Sequence, residues 1–146
     1  MTGIYLRRAV KNDMPAIRHL VHRAEVNPIG LDWRRFVIAE TEEGKLVGCG
    51  QLKPHADGSL ELASIAVDEV YRGQGIARLI IETLLAESKR PLFLVCRPQL
   101  SGLYEKFGFC LVGSEPLPPF FKRIRWLFRL VRQVTRQEQG VIMRLD

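Results

Sequence analysis

Apolar positions along this chain switch between two spacings, and the switches outline its elements. Residues 5–10 form a first strand candidate. Ile17, Leu20, Val21 and Ala24 then recur three and four apart, which predicts a helix running to about Val26. Asp13 stands where an N-cap belongs, Pro15 lies in the first turn, and Asn27-Pro28-Ile29-Gly30 breaks the pattern. Residues 35–39, 45–52 and 60–67 are three further strands, separated by the turns Thr41-Glu42-Glu43-Gly44 and His55-Ala56-Asp57-Gly58.

From Gly75 the period changes to that of a helix. Ile76, Ile80 and Leu84, with Ala77, Ile81 and Leu85, make an apolar stripe that leaves out Arg78, Glu82 and Glu87, so an amphipathic helix should end near Ser88. Residues 91–96 are a short, wholly apolar run, as in a central strand covered on both faces. Leu100, Leu103, Tyr104 and Phe107 lie on one side of a short helix. Gly108 suits a left-handed C-terminal cap, with Phe109 folding back as its hydrophobic partner. Residues 110–112 and 139–145 supply the last strands. The order, β-α-β-β-β-α-β-α-β-insert-β, predicts an α/β chain with a mixed sheet covered by helices.

Length and composition narrow the class. A chain of 146 residues with 47% hydrophobic and 26% charged residues has room for one domain, residues 1–146, with a sizeable core. No apolar run approaches membrane-spanning length, and the N-terminus lacks an apolar signal core. Cys49, Cys96 and Cys110 stand singly in apolar stretches, which points to buried, reduced thiols in a cytoplasmic setting. His19, His22 and His55 show no metal-binding spacing and are expected on surfaces or helix faces.

The chemistry concentrates between Leu60 and Arg78. A strand ends at Val67, a loop turns, and Arg72-Gly73-Gln74-Gly75 opens a helix. Glycines admit a ligand close to the backbone, and the free N–H groups and positive end of the helix dipole favour an anion. Alone, this means a phosphate or carboxylate; neither a Walker-type nor a dinucleotide-type glycine pattern is present.

Here the chain resembles the GNAT superfamily of N-acetyltransferases. The family's Arg/Gln-x-x-Gly-x-Gly/Ala signature is matched by Arg72, Gly75 and Ala77, and its later Tyr followed by Gly-Phe by Tyr104, Gly108 and Phe109. The resemblance implies a mostly antiparallel sheet of about seven strands flanked by helices, with acetyl-CoA as co-substrate, no metal, and a primary amine, on a small molecule or protein, as acceptor. It implies that the backbone of Ile65, Ala66 and Val67 pairs with the pantetheine arm. The amides of Gly73, Gln74, Gly75, Ile76, Ala77 and Arg78 would hold the pyrophosphate beside Arg72, and Val67 would also serve the oxyanion. Tyr104 would protonate the leaving thiolate; a plain core aromatic is the other reading. Glu61, six residues before Val67, is either the general base or a solvated strand residue, and water-relayed deprotonation leaves it no role. The family's Asn after the fifth strand is absent from Arg97-Pro98-Gln99-Leu100-Ser101. A binding module of the same fold, sensing acetyl-CoA or docking on an anionic surface without turnover, is the alternative.

Much of the net charge of +6 comes from the insert, where six basic residues and no acidic one lie between Pro116 and Gln137. Phe120, Ile124, Leu127, Val131 and Val134 share one helical face, widened by Phe121 and Phe128, with Lys122, Arg125, Arg129, Arg132 and Arg136 opposite. Three uses remain open for residues 120–136: covering the sheet, contacting an anionic surface, or joining a homodimer or partner.

Overall fold

The alternating and helical stripes resolve, in a computed structural model that describes residues 3–137 and 139–146, into seven strands and four α-helices among the described residues. The strands are β1 (Ile4–Arg8), β2 (Phe36–Thr41), β3 (Leu46–Pro54), β4 (Leu60–Val67), β5 (Leu92–Cys96), β6 (Cys110–Leu111) and β7 (Val141–Leu145). The helices are α1 (Met14–Arg23), α2 (Ile76–Glu87), α3 (Ser101–Glu105) and α4 (Pro119–Thr135). Hydrogen bonding orders the strands β1-β2-β3-β4-β5-β7-β6. The β1–β2, β2–β3, β5–β7 and β6–β7 pairs are antiparallel, and β4–β5 is parallel. This is the mixed α/β sheet flanked by helices that the pattern predicts, with the mostly antiparallel pairing that the resemblance implies.

The backbone divides into two compact units, Met1–Lys53 with Leu62–Ser88, and Pro54–Glu61 with Lys89–Asp146. In the first, α1 lays Met14, Ile17, Leu20 and Val21 against Phe36, Ile38, Cys49 and Ala66. The opposite face of β3 receives α2. Its two glycines make that approach possible: a Cβ at Gly48 would lie 2.8 Å from Ile76 Cγ2, and one at Gly50 2.8 Å from Ile80 Cγ2. Asp13 is the N-cap residue of α1, as expected, but its side chain makes no cap bond; the carboxylate accepts from the Val10 N–H (2.7 Å) and from Arg7 (2.8 Å), a charged partner that outcompetes a helix amide. One local expectation is corrected here. The helix stops at Arg23 rather than Val26, because Glu25 adopts φ +57°.

In the second unit, β5 pairs with the start of β4 through Leu60–Leu92 and Glu61–Phe93, and with β7 from Leu92–Leu145 to Cys96–Val141. Phe93 and Ile142 pack against Phe121 of α4, whose ring stacks on Phe93 at 4.8 Å. Burying a Phe side chain completely, as at Phe121, contributes about 1.5–3 kcal/mol. After α3 the chain closes as predicted. The Gly108 N–H donates to Glu105 O at φ +98°, the Phe109 N–H donates to Tyr104 O, and the Phe109 ring meets Tyr104 edge-on.

Only part of the expected apolar face of α4 packs. Phe120, Phe121, Ile124 and Phe128 turn inward, whereas Leu127 and Val134 are 46% and 80% exposed. The bulkier phenylalanines set the rotation, because they fill the space above Phe93 and Ile142.

Candidate functional site

In the first unit the site begins on β4. Ser64 adopts φ +61° and is fixed there by the Gln51 Nε2 donor at 2.9 Å and by the Cys49 thiol, which donates to its carbonyl. Burial of Cys49 pushes its thiol up to about 12, so it stays protonated. Toward β5 the ladder stops at Glu61, and among the described residues Leu62 to Val67 have no ladder partner on that edge. The Asp68 N–H donates to Val47 O at 2.8 Å, so alternation turns the Val67 N–H toward the unpaired edge. Ile65 and Val67 therefore present backbone groups to be paired, with Ala66 between them turned toward β3.

The loop that follows is built from backbone. Asp68 accepts from the Val70 N–H at 3.0 Å and shapes one tight turn, and Arg72 Nε donates to Val67 O at 3.2 Å. Gly73 (φ +82°) and Gly75 (φ +79°) both take the left-handed conformation, and a Cβ on either would meet nothing within 4 Å. Conformation, rather than crowding, calls for glycine there. Gly75 is the N-cap of α2 and supplies no side-chain cap. The first helical bond runs from Leu79 N to Gly75 O, which leaves the Ile76, Ala77 and Arg78 amides at the helix start without intrahelical acceptors. Gly73, Gln74 and Gly75 are exposed, and Ile76 anchors the turn at 2% exposure. Arg78 is engaged with Glu82 at 2.6 Å, so its amide rather than its guanidinium faces the opening.

The second unit holds Tyr104 and Glu61. Tyr104 is 8% exposed; burial, with the neighbouring Cys96, pushes its phenol up to about 12. Its hydroxyl has no hydrogen-bond partner among the described residues, so a neutral donor is held available. The half-buried Cys96 thiol is itself pushed up to about 11 by burial, whereas Cys110, on the short edge strand β6, is exposed and corrects the expectation of three buried thiols. Glu61 is no solvated strand residue: its side chain is 12% exposed and meets His55 Nε2 at 2.8 Å. His55 corrects the expectation of a surface histidine. Its side chain is 10% exposed, stacked at 3.6 Å on Phe120 and edge-on to Phe121. Asp57 secures the arrangement by accepting from the Phe120 N–H at 2.8 Å. The Ser59 hydroxyl first, then the Phe120 and Ser59 N–H groups, hold its carboxyl down at about 2. His55, Asp57 and Phe120 escape sequence reasoning because their partners lie in separate elements. The only hint is a histidine six residues before a strand carboxylate. Among the described residues, no group of three or more His, Cys, Asp or Glu is placed to hold a metal.

A strand edge opening into a Gly-rich helix start, with a later Tyr–Gly–Phe helix end, defines an acetyltransferase-type fold. Comparisons agree. The acetyltransferase (GNAT) domain model matches residues 32–110, and this chain belongs to that family. It is 32% identical over 130 residues to the uncharacterized N-acetyltransferase YhbS of Escherichia coli K12, covering 83% of this chain and 70% of that one. It is 36% identical over 90 residues to the amino-acid acetyltransferase of Mycobacterium tuberculosis H37Rv, covering 55% of this chain. The match spans only about half, 52%, of that relative's length. The crystal structure of Rv2747 from Mycobacterium tuberculosis, solved in complex with CoA, superposes with a TM-score of 0.72 at 24% identity, covering 97% of this chain and 98% of that one.

Proposed function

We propose that this acetyltransferase moves the acetyl group of acetyl-CoA onto a primary amine by direct attack. The observation that carries this is the unpaired β4 edge running into the left-handed Gly73–Gly75 turn and the open amides of α2. Strand backbone suits the amide-bearing pantetheine arm, and the helix start suits the pyrophosphate. The residues fit the co-substrate on this ground: neither glycine bears a Cβ where the phosphates approach, and Arg72 adds charge at the rim. The CoA bound in the Rv2747 structure supports the same ligand.

The acceptor is an ammonium at neutral pH and must lose a proton before it attacks. Glu61 takes that proton and later releases it to solvent, and His55, clamped between Glu61 and Phe120, orients the carboxylate. The attacking nitrogen forms the C–N bond, the Val67 N–H receives the oxyanion, and the C–S bond breaks. Tyr104 acts on the sulfur. With its phenol at about 12 and an ordinary thiol at ~8.5, complete proton transfer is uphill by ~5 kcal/mol. Tyr104 therefore donates a hydrogen bond as charge develops, and the thiolate takes its final proton from the medium. The acceptor class stays at amines on small molecules or proteins. Three free cysteines support a reducing, cytoplasmic setting.

Calorimetric titration with acetyl-CoA tests the cofactor half. Saturable binding weakened at least tenfold by Gly75→Ala is expected, and no binding would overturn the reading.

A further inference from the structure

α4 has a second apolar face that its packing does not use. Trp126, Leu127, Leu130 and Val134 are 61%, 46%, 44% and 80% exposed. Their spacing places them on one continuous outer stripe. Lys122, Arg129 and Arg136 line one border and Arg123 lies within the stripe. None of these four cations forms an ion pair among the described residues, and no acidic residue lies anywhere on the helix. The helix is held at both its start and its middle: Asp57 binds the Phe120 N–H, and Arg125 donates to the carbonyls of Gly113 and Glu115. Phe121, Ile124 and Phe128 keep the inner face committed to the core, so the outer stripe is presented already folded.

We propose that this outer face docks the protein, in plane, on an anionic lipid surface. Charge and shape choose that occupant. A second copy meeting α4 about a two-fold axis would set one unpaired cationic border against another, in a chain already carrying +6. A nucleic acid would answer the cations but leave Leu127, Leu130 and Val134 wet. A bilayer interface answers both. Leu and Val enter the acyl boundary, the Trp126 indole sits at headgroup depth, and the Lys and Arg stems reach outward to the phosphates. No helix among the described residues is long and apolar enough to cross a membrane, so the contact is peripheral.

The test uses the full chain carrying Trp33→Phe, which leaves Trp126 as the reporter, mixed with phosphatidylcholine vesicles with or without phosphatidylglycerol. Co-sedimentation and a blue shift of Trp126 emission are expected only with phosphatidylglycerol, falling steeply as salt rises. Leu130→Glu with Val134→Glu should cut partitioning more than tenfold while thermal melting and acetyl-CoA binding stay unchanged. Arg129→Gln with Arg136→Gln should flatten the salt dependence. Absence of binding at low salt, binding indifferent to the glutamates, or light scattering that shows a dimer dissolved by them would overturn the proposal. So would a Trp126 shift with RNA but not with vesicles. Acetyl-CoA binding is read separately, so failure of docking and failure of the cofactor reading are distinguishable.

Discussion

Replacing Gly50 with alanine tests how the sheet positions α2 and the proposed cofactor-binding turn before it. The added Cβ would lie 2.6 Å from Ile65 Cδ1, 2.8 Å from Ile80 Cγ2 and 3.2 Å from Leu84 Cδ1. The Ile65 methyl ends a side chain and can rotate, but Ile80 Cγ2 is attached at a β-branch on a buried helix, so α2 itself has to rise. Overpacking of this kind costs about 1–3 kcal/mol. Against that stand ~0.8 kcal/mol from one more buried carbon and ~0.4–1 kcal/mol from a stiffer unfolded chain. The penalty prevails at the upper end of its range, giving a net loss of about 1 kcal/mol and a melting temperature lower by ~2–4 °C. Because the same helix carries the open amides, the KM for acetyl-CoA should rise as well. Circular-dichroism melting and initial rates read both effects. Ile65→Val, which removes the closest methyl, should recover part of the loss, so the double variant is less damaged than the two single effects summed. A Gly50→Ala protein that melts at or above the parent temperature, with unchanged KM, would refute this packing argument.

Three more outcomes follow from the site. Gly75→Ala forces a side chain into φ +79° and should cost about 1–2 kcal/mol, while Gly75→Asn, which tolerates that conformation better, should cost less; urea unfolding separates them. Glu61→Gln keeps a hydrogen-bonding partner for His55 but removes the base, so kcat should fall ~10²–10⁴-fold at neutral pH with KM for acetyl-CoA unchanged. An undiminished kcat would assign the proton to water. Alkaline stability should report Tyr104. Its folded phenol is raised to about 12, so its contribution is complete below about 10 and is lost as pH rises from there toward the folded value. Tyr104→Phe should remove about 1 kcal/mol of the stability lost between pH 9 and 11, measured by urea midpoints, while the raised Cys49 and Cys96 thiols retain their share.

The parts of this molecule that were readable from sequence are those whose cause is local. β4 has the predicted bounds because alternation and flanking turns agree there, and the Gly108 cap follows from a glycine placed after a short apolar stripe. Asp13 was read correctly as the N-cap position of α1, but not its side-chain partner, because the guanidinium of Arg7, six residues away, claims the carboxylate. The packing face of α4 was half right. Its apolar arc is wider than one surface can cover, and only the tertiary positions of Phe93 and Ile142 decide which part turns inward. The left-handed glycines of the turn before α2 were visible for the same local reason. The His55–Glu61 pair was not, since neither the 2.8 Å contact nor the Phe120 stack has a periodic signature.

The central claim is transfer from acetyl-CoA to an amine, and thiol release across a panel of amines, with the acetylated product identified by mass, tests it most directly. The account predicts product formation by the parent protein and a kcat about 10- to 100-fold lower in Tyr104→Phe, the worth of one hydrogen bond to a developing charge, with acetyl-CoA binding preserved. A protein that binds acetyl-CoA but acetylates no amine at any pH, or a Tyr104→Phe variant as fast as its parent, would contradict it.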